Sequence, residues 1–435
     1  MKKSLFLLAF FFMANAAFSQ NVLNLFNKAN NFFAYLEEGK YDSAHLYFDP
    51  AQRDKVRPET LQQIWEGVKA KMGAVKSLGA IQSKVQGEFF TVVVEGNFEH
   101  EDQNFVLAFN KQELLVGLFM PPKAATYALP AYADTTAFHE ESVYIGPKQR
   151  QLAAVVTTPK NASRFPVVVL VHGSGPNDMD ESIGGNKPFK DIAMALAARG
   201  IATVRYVKRT VVYANQFADT AFTVKEEVTD DALAAIQLAK TIKGADTKQI
   251  YLFGHSLGGM LAPRIASMAP ELNGIILAAA PARKLTDLIV EQNKYFFTLM
   301  KDTSATAKNQ FDTAIKNLDA SRITQLGGIK PDSLIVGLPA AYWVDLNRYD
   351  QVETAKKMNK RIFVLQGGND FQVSEEDYKI WESALNKKKN VTLRFYPELN
   401  HLLSAQTEKG TMEQYQKPAN VELKVIEDIA AWIKQ

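Results

Sequence analysis

The most informative stretch of this sequence is Ile250-Tyr251-Leu252-Phe253-Gly254-His255-Ser256-Leu257-Gly258-Gly259. Its apolar start predicts a buried strand, and the residues from Leu257 onward predict a helix. Between them lies the pattern Gly-x-Ser-x-Gly, which is typical of a sharp strand-to-helix turn that raises a serine hydroxyl above the end of a sheet. Gly254 and Gly258 lack the Cβ atoms that would collide with the neighbouring backbone. We therefore predict that Ser256 is a catalytic nucleophile.

Strands and helices alternate on both sides of this turn, from residue 138 to the end of the chain. The strands are predicted over residues 141–145, 152–158, 166–171, 201–206, 250–253, 274–280, 361–366 and 391–396. The helices are predicted over residues 189–198, 224–242, 257–268, 375–385 and 421–433. This alternation predicts an α/β fold with a mostly parallel, doubly wound sheet covered by helices on both faces. The alternation lapses over residues 282–360, and the apolar and aromatic side chains there predict an inserted helical cap.

Residues 20–120 differ from the rest and predict a small α+β domain. Helices are expected over residues 22–38 and 58–72, followed by strands over 89–94, 104–109 and 113–119. Helices followed by an antiparallel sheet are typical of a separate module. Pro121, Pro122 and an Ala- and Pro-rich stretch then predict a linker over residues 121–137. The second domain is thus expected to cover residues 138–435. The sequence leaves homodimerisation, substrate capture and stabilisation equally open as roles of the first domain.

Residues 1–19 have the features of a secretory signal peptide. Lys2 and Lys3 precede the apolar run 5–14, and small residues follow it as far as Ser19. Cleavage is expected after Ser19, with cleavage after Ala17 as the alternative. A membrane anchor needs about 20 apolar residues, roughly twice the length of this run. We therefore expect export to a bacterial periplasm or beyond, with no membrane span after the signal is removed.

Composition excludes several kinds of chemistry. The 435 residues include 50 Lys and Arg against 47 Asp and Glu, a net charge of +3, which gives no support for nucleic-acid binding through bulk charge. The chain has no cysteine, so disulfides, thiolate zinc sites and a cysteine nucleophile are excluded. The motifs imply no metal and no redox cofactor, and the expected partner is a small-molecule substrate.

A serine hydroxyl is a weak nucleophile and needs a neighbouring imidazole to accept its proton. The chain has six histidines, and only His401 is well placed for this role. It follows the last predicted strand, at the carboxyl edge of the sheet where Ser256 is expected. The others lie in the first domain, before the sheet, in a Gly-rich loop or directly beside the nucleophile, and are His45, His100, His139, His172 and His255. We therefore predict that His401 is the general base.

The imidazole in turn needs an acid that fixes its tautomer and stabilises its cation. Asp370 ends the run 361–370, directly beyond a predicted buried strand and at the same edge as His401. The chain order serine, aspartate, histidine is that of hydrolases with this kind of turn. Three other carboxylates are considered for the role of the acid. Asp287 is the best substitute, whereas Glu376 and Asp377 are expected on a solvated helix face.

Two backbone amides are predicted to bind the oxyanion of the reaction. The N–H of Leu257 lies at a helix N-terminus, where the helix dipole favours negative charge. The second N–H is expected from Ser174, in the loop His172-Gly173-Ser174-Gly175-Pro176 that follows the strand 166–171. Ser174 itself is discounted as a nucleophile because no helix follows it.

These motifs resemble the α/β-hydrolase family over residues 138–435, with the matches at 172–173, 254–258, 370 and 401. The segments 172–178, 186–191 and 199–202 resemble, more narrowly, bacterial esterases of the dienelactone-hydrolase and acyl-thioesterase-like branch. Those enzymes continue with Arg-Tyr-Asp-Lys-Arg, where this chain has Arg205-Tyr206-Val207-Lys208-Arg209, so Val207 replaces the acid. The first domain is similar in layout to small nuclear-transport-factor-like domains. The resemblance implies a serine esterase that forms an acyl-enzyme and needs no cofactor.

Three alternatives remain beside a secreted carboxylic ester hydrolase. A peptidase of the prolyl-oligopeptidase or aminopeptidase type uses the same three residues, although the repeats of a propeller domain are absent from the sequence. An acyl-CoA thioesterase fits the resemblance but not the expected export. A non-catalytic binding protein with the same fold is disfavoured by the complete set of Ser256, Asp370 and His401.

Overall fold

The structure is a computed structural model that describes residues 22–86, 89–121, 126–217, 220–300 and 304–435. The predicted signal peptide, residues 1–19, lies outside the described residues. The chain divides into two compact units, residues 1–124 and 125–435. Within the ranges given above, no helix has the length and apolar character needed to cross a membrane.

The first unit combines short helices with one antiparallel sheet. Its helices are α1 (Val22–Glu37), α2 (Tyr41–His45), α3 (Pro50–Arg53) and α4 (Pro58–Met72), and its strands are β1 (Val75–Gln86), β2 (Phe89–Phe98), β3 (Gln103–Phe109) and β4 (Leu115–Phe119). The strands pair in the order β1-β2-β3-β4. Phe33, Trp65 and Phe105 lie at the centre of its core, with the rings of Phe33 and Phe105 only 4.7 Å apart. This aromatic core packs the helices against the sheet, so the first unit is an α+β domain.

Two features of this unit differ from the sequence prediction. Strand β1 was not predicted because Ser77 and Gly79 interrupt its apolar pattern; it forms by pairing with β2 along its length. The last strand was predicted from residue 113, but it begins at Leu115. The side-chain oxygen of Asn110 accepts the amides of Gln112 and Leu114, each at 3.0 Å, and so holds those residues in a turn.

The second unit contains a sheet of eight strands flanked by helices. In chain order its elements are β5 (Phe138–Ile145), β6 (Leu152–Pro159), β7 (Phe165–Val171), α5 (Pro188–Ala197), β8 (Ala202–Tyr206), α6 (Arg209–Val212), α7 (Asp230–Ala239), β9 (Ala245–His255), α8 (Leu257–Met268), β10 (Leu272–Ala278), α9 (Leu285–Met300), α10 (Ala305–Asp319), β11 (Leu334–Ile335), β12 (Leu338–Pro339), α11 (Ala340–Arg348), α12 (Gln351–Lys356), β13 (Arg361–Gly367), α13 (Glu375–Leu385), β14 (Val391–Tyr396) and α14 (Leu423–Lys434).

The strand order is β14-β13-β10-β9-β7-β8-β6-β5. The strands from β14 to β8 are parallel, and β6 and β5 are antiparallel to their neighbours. Strand β7 lies near the middle and is buried on both faces. Val167 and Val169 pack into the core on one side of the sheet, whereas Val168 and Leu170 pack into the core on the other. This explains the continuous apolar run, and the mostly parallel α/β sheet confirms the predicted fold class.

Residues 282–360 lie between β10 and β13, and their main elements are the four helices α9 to α12, with the short pair β11 and β12. The helical character predicted for this insertion is therefore what the structure contains. The predicted linker 121–137 needs correction. Tyr127 donates to the buried carboxylate of Asp191 at 2.6 Å, and Tyr132 donates to the carbonyl of Val421 at 2.6 Å. These bonds attach the second half of the predicted linker to the second unit.

The single helix predicted over residues 224–242 is also different in the structure. Residues 225–229 form a π-helical turn, and the α-helix α7 covers only Asp230–Ala239. The wider turn carries Glu227, which is 4% exposed. π-helical turns interrupt a helix at an energetic cost and are frequent at functional sites.

Candidate active site

Ser256 lies at a strained turn between β9 and α8. Its backbone angles are φ 52° and ψ −118°, a conformation that costs a residue with a side chain about 1–3 kcal/mol. A Cβ at Gly254 would collide with the carbonyl of Gly258, and a Cβ at Gly258 would collide with the carbonyl of Val171. The turn therefore requires glycine at both positions. Ser256 remains partly exposed, although its neighbours in the chain are buried.

The loop that follows β7 lies against this turn. A Cβ built on Gly173 would be 3.1 Å from the Cβ of Ser256 and 3.6 Å from its Oγ. The next residue, Ser174, is exposed. On the other side, Leu257 begins helix α8, and its N–H has no intrahelical acceptor. The two amides predicted to bind an oxyanion thus belong to the segments that flank Ser256.

His401 and Asp370 form a buried pair at the carboxyl edge of the sheet. Nδ1 of His401 lies 2.7 Å from Oδ2 of Asp370, and the aspartate has no solvent exposure. The other oxygen, Oδ1, accepts the backbone amides of Gln372 at 2.7 Å and Val373 at 2.9 Å. These two bonds fix the orientation of the carboxylate. The pair can therefore hold one tautomer of the imidazole, with Nε2 left to accept a proton.

His255, the residue before Ser256, contacts the loop that carries His401. Nε2 of His255 lies 2.8 Å from the backbone oxygen of His401, and the two rings are 4.6 Å apart. Among the described residues the His401 ring forms a hydrogen bond with Asp370, and none is found between this ring and Oγ of Ser256. Catalytic hydrogen bonds are often long without substrate and tighten in the complex.

His255 has a second partner that the sequence analysis missed. Its Nδ1 lies 3.0 Å from Oε2 of Glu181, and both side chains are at most 6% exposed. Burial lowers the pKa of His255, but the Glu181 charge and hydrogen bonding raise it by more, so the pKa lies above its ordinary value. For Glu181 burial is the largest single effect and raises the pKa, but the charges of His255 and His172 and hydrogen bonding together lower it by more, so that pKa lies below its ordinary value. Glu181 and His255 are therefore a buried pair one residue from Ser256, in which the charge of each favours the charged form of the other.

Glu181 also contacts the loop after β7. Its Oε1 accepts the backbone amide of Gly173 at 2.6 Å. Glu181 itself has φ 53°, which is unfavourable for a residue with a side chain. One carboxylate thus connects the segment of Ser174 with the segment of Ser256, while His255 connects Ser256 with the His401 loop.

The remaining candidates from the sequence lie elsewhere. Asp287, the best substitute for Asp370, is at the start of α9 and pairs with Arg322 at 2.6 Å, with 38% of its side chain exposed. Asp377 was expected on a solvated face, and this was wrong. It has no solvent exposure, and its Oδ1 accepts the amides of Ala282 and Arg283 at 2.9 and 3.0 Å. Asp377 therefore anchors the start of the insertion.

His172 is buried between the rings of Phe189 and Tyr206, at centroid distances of 5.0 and 5.1 Å. Burial is the main cause that lowers its pKa to about 4, so this imidazole is neutral at physiological pH. It is 1% exposed and directly precedes Gly173 in the chain. No group of three or more His, Asp or Glu side chains within the described ranges is arranged to hold a metal ion.

The polar residues that the sequence analysis missed are Glu181, Lys208 and Glu227. Glu181 follows the Gly-rich loop within Asn177-Asp178-Met179-Asp180-Glu181, and Lys208 lies in the segment 205–209, where the chain departs from the family pattern at Val207. Proximity to these motifs was the available signal. It did not reveal that both charged groups are buried, because burial depends on the packing of the loop.

The strand order, with the turn at Ser256 between a central strand and its helix, defines the class of this protein. It is a serine hydrolase with the α/β-hydrolase fold, as predicted. The chain belongs to the family described as "Serine aminopeptidase, S33", which matches residues 165–408. Residues 29–118 match a second family, described as "Protein of unknown function (DUF3887)".

The chain is 34% identical to Esterase EstD of Thermotoga maritima over 403 residues, which are 92% of this chain and 93% of that protein. Among solved structures it is similar to Est1E from Butyrivibrio proteoclasticus, with 18% identity, 68% of this chain and 99% of that chain covered, and a TM-score of 0.43. It is also similar to an acylaminoacyl peptidase of Pyrococcus horikoshii, with 13% identity, coverage of 82% and 56%, and a TM-score of 0.47. The assignment to the family depends on the sequence matches.

Proposed function

We propose that this enzyme hydrolyses carboxylic esters through an acyl-enzyme formed on Ser256. The observation that carries the proposal is the 2.7 Å contact between Nδ1 of His401 and Oδ2 of a fully buried Asp370, at the sheet edge where Ser256 is raised on a strained turn. The full-length similarity to a protein named an esterase supports an ester as the substrate.

In the proposed reaction Oγ of Ser256 attacks the ester carbonyl while Nε2 of His401 accepts the hydroxyl proton. The negative charge that forms on the carbonyl oxygen is bound by the amides of Leu257 and Ser174. His401 then protonates the leaving alcohol as the bond from carbon to the leaving oxygen breaks. Water repeats the sequence on the acyl-enzyme and releases the acid. Asp370 stabilises the imidazolium in both halves.

The test is turnover of a short-chain aryl ester by purified wild type and Ser256→Ala. We expect the variant to lose activity, and to lose labelling by a fluorophosphonate that reacts only with activated serines. Ser267→Ala is a matched control, because Ser267 lies exposed near the other end of α8. Ser256→Ala with wild-type turnover would overturn the proposal.

An aminopeptidase is the second candidate, because the description of the family names that activity. An ester and an amide with the same acyl group separate the two candidates. The ester proposal expects the ester to be cleaved far faster than the peptide-like amide, beyond the difference in their uncatalysed rates. A thioester with the same acyl group tests the thioesterase alternative in the same assay.

We also propose that the enzyme is exported after cleavage of residues 1–19. The support is Lys2 and Lys3, the apolar run 5–14 and the small residues up to Ser19. Expression of the full chain in a bacterial host, followed by N-terminal sequencing of the periplasmic product, is expected to give Gln20 as the first residue. Uncleaved enzyme in the cytoplasm would contradict export. Light scattering of the same product tests whether the chain forms a homodimer, one of the roles left open for the first domain.

A further inference from the structure

Lys208 is a buried cation that the proposed reaction has not yet used. Its side chain is 2% exposed, and its Nζ donates to the carbonyl oxygen of Gly173 at 2.7 Å and to Oε1 of Glu227 at 2.6 Å. Its own backbone N–H donates to the carbonyl of Asn177 at 3.0 Å. Lys208 therefore contacts the loop after β7 through both its side chain and its backbone.

The carbonyl that Lys208 contacts belongs to a particular peptide group. The C=O of Gly173 and the N–H of Ser174 are the two ends of one planar amide. A charged donor on the oxygen draws electron density away from the nitrogen and strengthens the N–H as a donor, and it also fixes the plane of the amide. An oxyanion site works through donors that are oriented before the reaction begins.

We propose that Lys208 is the positioning residue of the oxyanion site, holding and polarising the peptide group whose N–H, that of Ser174, binds the oxyanion. This inference rests on the proposed function. Lys208 does not touch the substrate and acts only through the amide. Its effect therefore belongs to the step in which negative charge forms on the carbonyl oxygen.

The preceding peptide group is held from the other direction. The amide of Gly173 donates to Oε1 of Glu181 at 2.6 Å, so an anion fixes the N–H of Gly173 while a cation fixes its C=O. Asn177 adds a longer contact, with Nδ2 at 3.4 Å from the same carbonyl. Two opposite charges on one glycine leave its amides little freedom to rotate, which is the arrangement that a preorganised donor requires.

Lys208 is also connected to the insertion. Oε2 of Glu227 accepts the hydroxyl of Tyr342 at 2.7 Å, and Tyr342 lies on α11, 2% exposed. Glu227 is carried by the π-helical turn 225–229, which separates it from the regular spacing of α7. The ion pair with Lys208 is enough to balance the charge of Glu227. The second hydrogen bond of Lys208, to the carbonyl of Gly173, is not needed for charge balance and therefore calls for another role.

The test compares an oxo ester with its thiono analogue, in which sulfur replaces the carbonyl oxygen. Sulfur accepts hydrogen bonds poorly, so an oxyanion site accelerates the thiono ester much less, whereas loss of the triad slows both. The variant Lys208→Met with Glu227→Gln removes both charges and leaves no unpaired buried ion. For it we expect kcat for 4-nitrophenyl butanoate to fall roughly 10- to 100-fold, less than the roughly 10²- to 10³-fold for a lost donor. The thiono ester is expected to change far less.

Two control variants accompany the Lys208 double variant. The thermal unfolding of all three is first compared with that of wild type, so that only folded variants enter the assay. Glu227→Gln alone keeps the ammonium group, so its ratio of oxo to thiono turnover is expected to fall less than that of the double variant. Arg209→Met with Asp231→Asn removes a neighbouring, partly buried ion pair, whose Nε and Oδ2 are 2.9 Å apart and which makes no side-chain hydrogen bond to residues 172–176 among the described residues. Its ratio is expected to equal that of wild type.

The outcomes separate the inference from the proposed function. Ser256→Ala must lose turnover of both esters. If it still hydrolyses them, the proposed function and this inference both fail. If Ser256→Ala is inactive but the Lys208 double variant slows both esters equally, or slows neither, the positioning role is overturned while the proposed function stands. A selective loss of turnover of the oxo ester by the double variant supports the positioning role of Lys208.

Discussion

Nδ1 of His401 faces Oδ2 of Asp370 at 2.7 Å, and the other oxygen of this aspartate is already occupied by two backbone amides. Asp370→Asn keeps the shape of the side chain but removes its charge and can present an N–H to the imidazole. We expect kcat for the aryl ester to fall by about 10⁴-fold with little change in KM. Asp332→Asn, at an exposed carboxylate, is the control. A loss below tenfold would argue against the assigned role.

The backbone strain at Ser256 predicts that glycine at this position gives a more stable inactive variant than alanine. Glycine adopts a φ of 52° without steric cost, whereas alanine does not. We therefore expect Ser256→Gly to be more stable than Ser256→Ala by about 1 kcal/mol, after the higher flexibility of glycine in the unfolded chain is subtracted. Urea unfolding of the two inactive variants measures the difference. Equal stability would mean that the turn is not strained.

The pair formed by Glu181 and His255 predicts a dependence of stability on pH. The folded pKa of His255 is raised, so its contribution is complete below about pH 6.5 and is lost as pH rises through the folded pKa. The folded pKa of Glu181 is lowered, so its contribution is present above about pH 4.5 and is lost as pH falls through the folded pKa.

We expect wild type to exceed Glu181→Gln in free energy of unfolding by about 2 kcal/mol near pH 6 and by less at pH 9. Urea unfolding at both pH values checks this. A difference that stays constant from pH 6 to pH 9 would show that His255 is not charged in the pair. The ring signals of His255 in an NMR titration provide an independent measurement.

The insertion starts at an anchor formed by Asp377. This carboxylate accepts the amides of Ala282 and Arg283 and pairs with the guanidinium of Arg283 at 2.7 Å. We expect Asp377→Ala to lose about 3 kcal/mol of stability, because it leaves buried donors unpaired. Urea unfolding measures this loss, and faster trypsin cleavage within residues 283–360 is expected beside it. Glu376→Ala is the matched control, because Glu376 pairs with Arg283 from an exposed position.

The sequence predicted the second domain well because its strongest signals are local. The continuous apolar run of β7, the Gly-x-Ser-x-Gly turn and the helix that starts at Leu257 are each dictated by neighbouring residues. Strand β1 could not be predicted, because its stability comes from pairing with β2 rather than from its own pattern.

The polar interior of the site was the least predictable part. Glu181, Lys208 and Glu227 are ordinary charged residues in the sequence, and charged residues are almost always exposed. Their burial depends on contacts between segments that are far apart in the chain, such as Tyr342 with Glu227. The position of Asp377 was wrong for the same reason, since its partners Ala282 and Arg283 are 95 and 94 residues away.

The hydroxyl of Tyr342 ends a line of buried polar contacts that begins at the carbonyl of Gly173. An engineer who wished to alter substrate preference could exchange the insertion for that of another hydrolase. This exchange would remove the Tyr342 hydroxyl that donates to Glu227, together with the rest of the insertion. A chimera that retains tyrosine at position 342 is expected to preserve its rate, whereas one that brings phenylalanine there is expected to lose part of it before any new substrate is tried.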